Sequence, residues 1–202
     1  MIKNHTQLLN WLIERNGLTS YLEIGVQSAK NNFNKINVEN KWGVDPDPDD
    51  ATRDLDRIHL KTSDEYFDAV DEKVCLIFID GLHHADQVKR DFENSLRCLN
   101  DNGFIVIHDT CPDEEKYTTV PRETRKWYGN VWMFAVSLNN YTGIDFVTLD
   151  IDCGITIIWK DSSKFKEDKV NVKTWDNYVE NKKEMLRIIY NDELNTRLTR
   201  NI

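Results

Sequence analysis

A basic excess is the first thing missing from this chain. Its 202 residues carry 26 Lys and Arg against 35 Asp and Glu, a formal net charge of -9. There is no cationic footprint for nucleic acid or an anionic membrane, and a small-molecule partner is expected instead. Cysteine is scarce: Cys75, Cys98, Cys111 and Cys153 are scattered without C-x-x-C spacing, which suits reduced thiols rather than a disulfide frame or a zinc site. Neither a signal-peptide core nor an apolar run long enough to span a bilayer is present, so a soluble, cytoplasmic protein is expected. The G-x-G-x-x-G word of nicotinamide-dinucleotide sites is absent, as are repeats and low-complexity tracts. The length suits one α/β domain over 1–202, with a leading helix (1–18), a core (20–160) and a C-terminal helical extension (161–202). No feature specifies an oligomeric state.

What is present centres on Val74 to Thr110. Val74-Cys-Leu-Ile-Phe-Ile79 is a short, uniformly apolar run, the pattern of a parallel strand buried on both faces, and it stops at Asp80-Gly81. From His84 to Asn100, Val88, Phe92, Leu96 and Leu99 recur at helical spacing, with Asp86, Lys89, Arg90 and Glu93 on the other face. Asn102-Gly103 reads as the C-cap of that helix, and Phe104-Ile-Val-Ile107 as a second buried strand ending at His108-Asp109. Two parallel strands thus bring Asp80, His83, His108 and Asp109 to one sheet edge, where ligands bind in open α/β sheets. The plainer alternative is that His83 or His84 caps the helix and Asp80 is tied to its own turn.

The flanking segments extend the pattern. Asn4 to Arg15 reads as a helix stopped by Gly17, and Tyr21-Leu-Glu-Ile-Gly25 as a strand entering a glycine turn. The polar segment from Gln27 to Asn37 offers a helix start that would aim its dipole at a bound anion. Lys41 to Pro46 is a further strand. Asp45 stands about twenty residues after Gly25, where an acidic side chain accepts hydrogen bonds from a ribose, although Asp45-Pro-Asp-Pro-Asp is also a plain polar turn. Ile58 to Thr62 is a third strand, and Ser63 the N-cap of a helix reaching Val70, or else a contact to a base edge. After an irregular Thr110 to Thr118 stretch, the spacing predicts a helix over Pro121 to Asn139 with Trp127 on its inner face. Ile144–Ile151 and Gly154–Trp159 read as a β-hairpin. Lys160 to Lys173 is a charged surface connection, Trp175 to Tyr190 a final helix, and the tail from Asn191 is expected to be loosely held.

Glu23-x-Gly25, Asp45, Phe78-Ile-Asp80-Gly81-x-His83, Gly103-Phe-Ile-Val-Ile-His108-Asp109 and Trp127-Tyr-Gly-Asn-Val-Trp132 together resemble the class I S-adenosylmethionine-dependent methyltransferases, in particular a small-molecule O-methyltransferase subgroup with a D-G-x-H signature. The resemblance implies a Rossmann-like, doubly wound, mostly parallel seven-stranded sheet with a C-terminal antiparallel hairpin. It implies S-adenosylmethionine as cofactor, contacted by Glu23, Gly25, Asp45, Ser63, Asp64 and Asp80, and a hydroxyl of a small polar acceptor, a sugar among the candidates. It further implies His83 as general base, and Mg2+ held by Asp80 and Asp109 with His108 as a further ligand. The chain departs from the family's glycine-rich loop at Gln27 and Ala29. Two alternatives stay open: a nicotinamide-dependent Rossmann oxidoreductase, and a non-catalytic binding module on the same fold.

Overall fold

The computed structural model describes residues 1–164 and 174–198. Helix α1 (His5–Asn16) starts at Asn4, whose side chain accepts the Gln7 N–H, and stops at Gly17, whose left-handed backbone (φ 60°) returns its N–H to the Ile13 carbonyl. The strands are β1 (Ser20–Ile24), β2 (Asn40–Val44), β3 (Ile58–His59), β4 (Val74–Ile79), β5 (Leu99–Ile107), β6 (Ile144–Leu149), β7 (Ile155–Lys160) and β8 (Ile188–Ile189). They form one eight-stranded sheet in the order β3-β2-β1-β4-β5-β7-β6-β8. β1 to β5 pair in parallel, β7 runs antiparallel to β5 and β6, and β8 lies parallel to β6. The chain first steps outward from β1 to β3 and then returns to β4 beside β1, so the strand order reverses between β1 and β4. That switch point opens a crevice at the carboxyl ends of both strands.

The remaining helices are α2 (Asp50–Arg53), α3 (Ser63–Ala69), α4 (Ala85–Cys98), α5 (Val131–Ser137), α6 (Trp175–Met185) and α7 (Leu194–Leu198). Strand alternation divides the core between the two sheet faces. Tyr21, Phe78, Phe104 and Val106 join Leu8, Leu9 and Leu12 of α1 and Leu194 and Leu198 of α7. Leu22, Ile77, Ile79, Ile105 and Ile107 join Phe67 of α3, Val88 and Phe92 of α4 and Phe134 of α5. By the period of two, Asp80 and His108 follow Phe78 and Val106 onto the α1 face.

Several sequence expectations are corrected. The sheet has eight strands, not seven, because Ile188 and Ile189, expected in the last helix, pair with Thr148 and Leu149 of β6. No α-helix follows β1; the segment to β2 holds only a 3-10 turn at Phe33–Lys35, since its polar residues present no continuous apolar stripe to a core. Helix α4 ends at Cys98, and Gly103 is a strand residue of β5 rather than a C-cap. A Cβ there would press on the Cys75 carbonyl, beside an irregularity in the β4–β5 pairing. Thr62, not Ser63, is the N-cap of α3, in a capping box with Glu65. Most of the predicted 121–139 helix is irregular, and only Val131–Ser137 is α-helical. The tail beyond Asn191 contributes the buried Leu194 and Leu198 through α7. Most of the predicted 160–173 connection lies outside the described residues. No helix among the described residues is long and apolar enough to cross a membrane.

Candidate active site

The crevice is a cavity of about 900 Å3. Seven carboxylates line it (Glu23, Asp45, Asp47, Asp64, Asp80, Asp91 and Asp109), with His5, His83, His108 and one guanidinium, Arg122. Its floor depends on Gly25 (φ 87°), where a Cβ would collide with the backbone of Asp80 and Gly81. Only glycine lets β1 and β4 approach so closely while taking a left-handed backbone.

Beside Gly25, Glu23 is buried at 2 % exposure. Tyr21 Oη donates to its Oε2 (2.6 Å), and so does Asn32 Nδ2 (2.9 Å). Asn32 is itself held by Thr6 of α1 (2.8 Å). Burial, reinforced by the charge of Asp80, pushes the Glu23 carboxyl up to about 8. Gln27 adopts the left-handed backbone (φ 48°) usually left to glycine, with its side chain exposed. Its N–H donates to Asp45 Oδ2 (2.7 Å), while the Asp47 N–H donates to Asp45 Oδ1 (2.8 Å). Asp45 thus makes the hydrogen bonds of a polar turn and also faces the cavity.

On the far side, Gln87 Nε2 of α4 donates to Ser63 Oγ (3.1 Å), Asp64 Oδ1 (3.2 Å) and Asp91 Oδ1 (2.9 Å). Sequence reasoning missed Gln87 and Asp91. Asp91 sits beside Phe92 on the buried stripe of α4, and a carboxylate on an apolar stripe was the available signal.

At the ends of β4 and β5, His83 lies between two carboxylates. Its Nε2 is 3.7 Å from Asp80 Oδ1 and its Nδ1 is 3.2 Å from Asp109 Oδ2. His108 Nδ1 is 3.2 Å from Asp80 Oδ1 and 3.5 Å from Asp109 Oδ1. Burial disfavours the His83 imidazolium, but Asp80 and Asp109 outweigh it and raise its pKa. Burial likewise disfavours the His108 imidazolium, and Asp80, Asp152 and Asp109 together raise its pKa. Burial also opposes ionisation of Asp80, yet the two histidines hold it below the usual carboxylate range, whereas Asp109 is held above it by burial and by Asp80.

Neither His83 nor His84 makes a side-chain cap for α4. Asn130 supplies that cap from outside: its Oδ1 accepts the Ala85 N–H (2.6 Å) and its N–H donates to the His83 carbonyl (3.2 Å). Trp127, expected inside a helix, instead stacks on the His83 ring at 5.1 Å and 18°, with Arg122 over its own ring at 5.7 Å. Trp127 stands in the stretch that resembles the family but takes no site role from it, and Arg122 carries no signal in the sequence, because both lie on a loop whose path is set by tertiary contacts.

The donor set does not fit Mg2+, which takes oxygen ligands in a regular octahedron. Asp80, His83 and Asp109 bring one ligand atom each to within 4.8 Å of one another, whereas His108 groups with His5 and Asp152. Both carboxylates already face imidazoles, and no step is assigned to Mg2+. A sulfonium nucleoside fits better. The cavity is rich in carboxylates, its glycine floor lets a ligand approach the backbone, and Asp45 and Asp64 lie where hydroxyl and amine groups find acceptors.

A family model described as "Methyltransferase domain" matches residues 8–110. No curated protein sequence matches the chain. Among solved structures, the O-methyltransferase TomG from Streptomyces achromogenes, in complex with SAM, superposes with a TM-score of 0.59 at 13% identity, covering 77% of this chain and 78% of that one. The SAH-bound methyltransferase PaMTH1 from Podospora anserina gives 0.57 at 18% identity, covering 77% of each chain. An O-methyltransferase from Bacillus cereus in complex with SAH gives 0.54 at 13% identity, covering 77% of this chain and 80% of that one. These likenesses establish the fold.

Proposed function

Because the chain belongs to the methyltransferase-domain family, with the matched segment spanning just over half of it, we propose that it transfers the methyl group of S-adenosylmethionine to a hydroxyl of a small polar acceptor. The observation that carries this reading is the carboxylate-lined cavity at the β1–β4 switch point, which runs without a break to His83. S-adenosylmethionine, when bound, supplies an electrophilic methyl carbon whose C–S bond breaks with its electron pair passing to sulfur.

The chain's residues do the rest. Asp45 takes the ribose hydroxyls with oxygens that each accept only one backbone N–H, and Ser63 and Asp64 lie toward the base. Glu23, protonated in the buried Tyr21–Asn32 network, faces the cationic end. His83 removes the acceptor's hydroxyl proton as the oxygen–carbon bond forms; Asp80 and Asp109 hold the ring and stabilise the imidazolium produced. Trp127 covers the other ring face. Alignment of acceptor oxygen, methyl carbon and sulfur within this walled space supplies the larger part of the rate.

The oxidoreductase alternative loses ground in the fold itself. A dinucleotide pyrophosphate sits on the N-terminus of the helix after β1, and here that segment has no α-helix. Calorimetric titration with S-adenosylhomocysteine and with NAD, followed by a radiolabelled methyl-transfer assay over hydroxylated acceptors, tests the reading. Binding of the first ligand with transfer to one acceptor supports it. NAD binding alone refutes it, and cofactor binding without transfer to any acceptor identifies a binding module.

A further inference from the structure

His5, His108 and Asp152 reach one spot from three separate elements: the first residue of α1, the residue after β5, and the turn between β6 and β7. Each brings a ligand atom within 4.8 Å of the other two. His5 Nδ1 lies 2.6 Å from Asp152 Oδ2, and His108 Nε2 lies 3.6 Å from the same oxygen. At that distance the second contact is no hydrogen bond, and His108 Nε2 is a buried nitrogen with no hydrogen-bond partner. A buried polar atom left bare costs about 1–3 kcal/mol. Ion pairs of Asp152 with both histidines account for these contacts, but they leave His108 Nε2 without a hydrogen bond.

The surroundings are those of a ligand set. On its other nitrogen, His108 faces Asp80 Oδ1 at 3.2 Å. This carboxylate–histidine arrangement holds the proton on Nδ1, so that a metal arriving at Nε2 displaces only the second proton, the one the surrounding carboxylates favour. The His5 ring is stacked on Phe78 (5.4 Å, 17°) and meets His108 edge-on (4.8 Å, 75°), so neither imidazole turns freely. His5 and His108 both line the cavity, which gives an ion a path in and a solvent ligand.

We propose that His5, His108 and Asp152 bind a borderline divalent metal ion, separate from the Asp80–His83–Asp109 group. Two imidazoles and one carboxylate suit Zn2+ or Fe2+ and disfavour Mg2+ and Ca2+. The ion would join α1 to the sheet at the cavity wall.

Co2+ titration of the tag-free, metal-stripped full chain tests this through the visible d–d bands. One equivalent is expected for the wild type and for H83Q, with affinity falling about tenfold or more in H5Q and D152N. D152H separates ligation from an ion pair: it keeps Co2+ binding with a shifted spectrum, which an ion-pair role does not allow. Apo-state thermal melts of each variant show that it is folded, and addition of Zn2+ should raise the melting temperature of wild type and H83Q but not of H5Q. The proposal is overturned if the wild type takes up no Co2+, if H5Q and D152N bind as the wild type does, if D152H binds no better than D152N, or if H83Q abolishes binding. The readout is metal affinity, so its outcome is independent of methyl transfer.

Discussion

His83 holds its proton more tightly than a free imidazole because Asp80 and Asp109 flank it, and a base must shed that proton before it can accept another. Turnover should therefore rise with pH through an apparent pKa above the ordinary histidine value of about 6.5. The ion pairs run the opposite way: their stabilisation is complete below about pH 6.5 and is lost as pH climbs through the raised value. His83→Gln should lower kcat by about 10²–10⁴-fold, leave the affinity for S-adenosylhomocysteine unchanged, and flatten the melting temperature over that window. Steady-state profiles and melts across pH check both. Glu23 gives a second titration. Its folded-state carboxyl keeps its proton up to about 8, whereas the unfolded chain releases it near 4.3, so stability falls as pH rises between those values. Glu23→Gln should remove that slope and melt higher than the wild type at pH 8. The gathering of Asp80, His83, His108 and Asp109 was legible because each follows a greasy strand. His5 and Asp152 were not, because pairing across 147 positions leaves no local pattern.

At the scale of elements, the sequence reads well where one period dominates. β4 matches its apolar run residue for residue, and α1, β6 and β7 fall close to their predicted spans. It reads poorly where the chain takes its shape from distant contacts. The segment from Tyr117 to Asn130 is anchored by Trp127 Nε1 donating to the Thr119 carbonyl (2.6 Å) and the Tyr128 N–H donating to the Tyr117 carbonyl (2.8 Å). Gly129 (φ 58°) passes so near the His83 carbonyl that no side chain fits. This loop caps α4 through Asn130, so Asn130→Ala should cost about 1 kcal/mol of stability. It should also lower kcat more than cofactor affinity, because the His83 turn loses its clamp. Denaturant melts beside kcat and calorimetric Kd measurements check the split; equal losses in both would mean the loop serves the cofactor instead.

Across the whole molecule, the net charge is -9, and the crevice is lined by seven carboxylates, Glu23 among them protonated, with three histidines and one guanidinium. Such a field favours a cation over a neutral ligand of the same shape and weakens with salt. An analogue with an ammonium in place of the sulfonium should bind more tightly than S-adenosylhomocysteine, with the gap narrowing as ionic strength rises; competition titrations at low and high salt would show it. The first and last described segments also meet: the Ile2 N–H donates to Asn191 Oδ1 (3.0 Å), and Asn191 Nδ2 donates to the Ile2 carbonyl (3.2 Å). During synthesis, Ile2 therefore cannot close this contact until Asn191 has left the ribosome, 189 positions later. A nascent chain stalled before residue 188 would have built the cleft's floor but would still lack the latch that holds its wall.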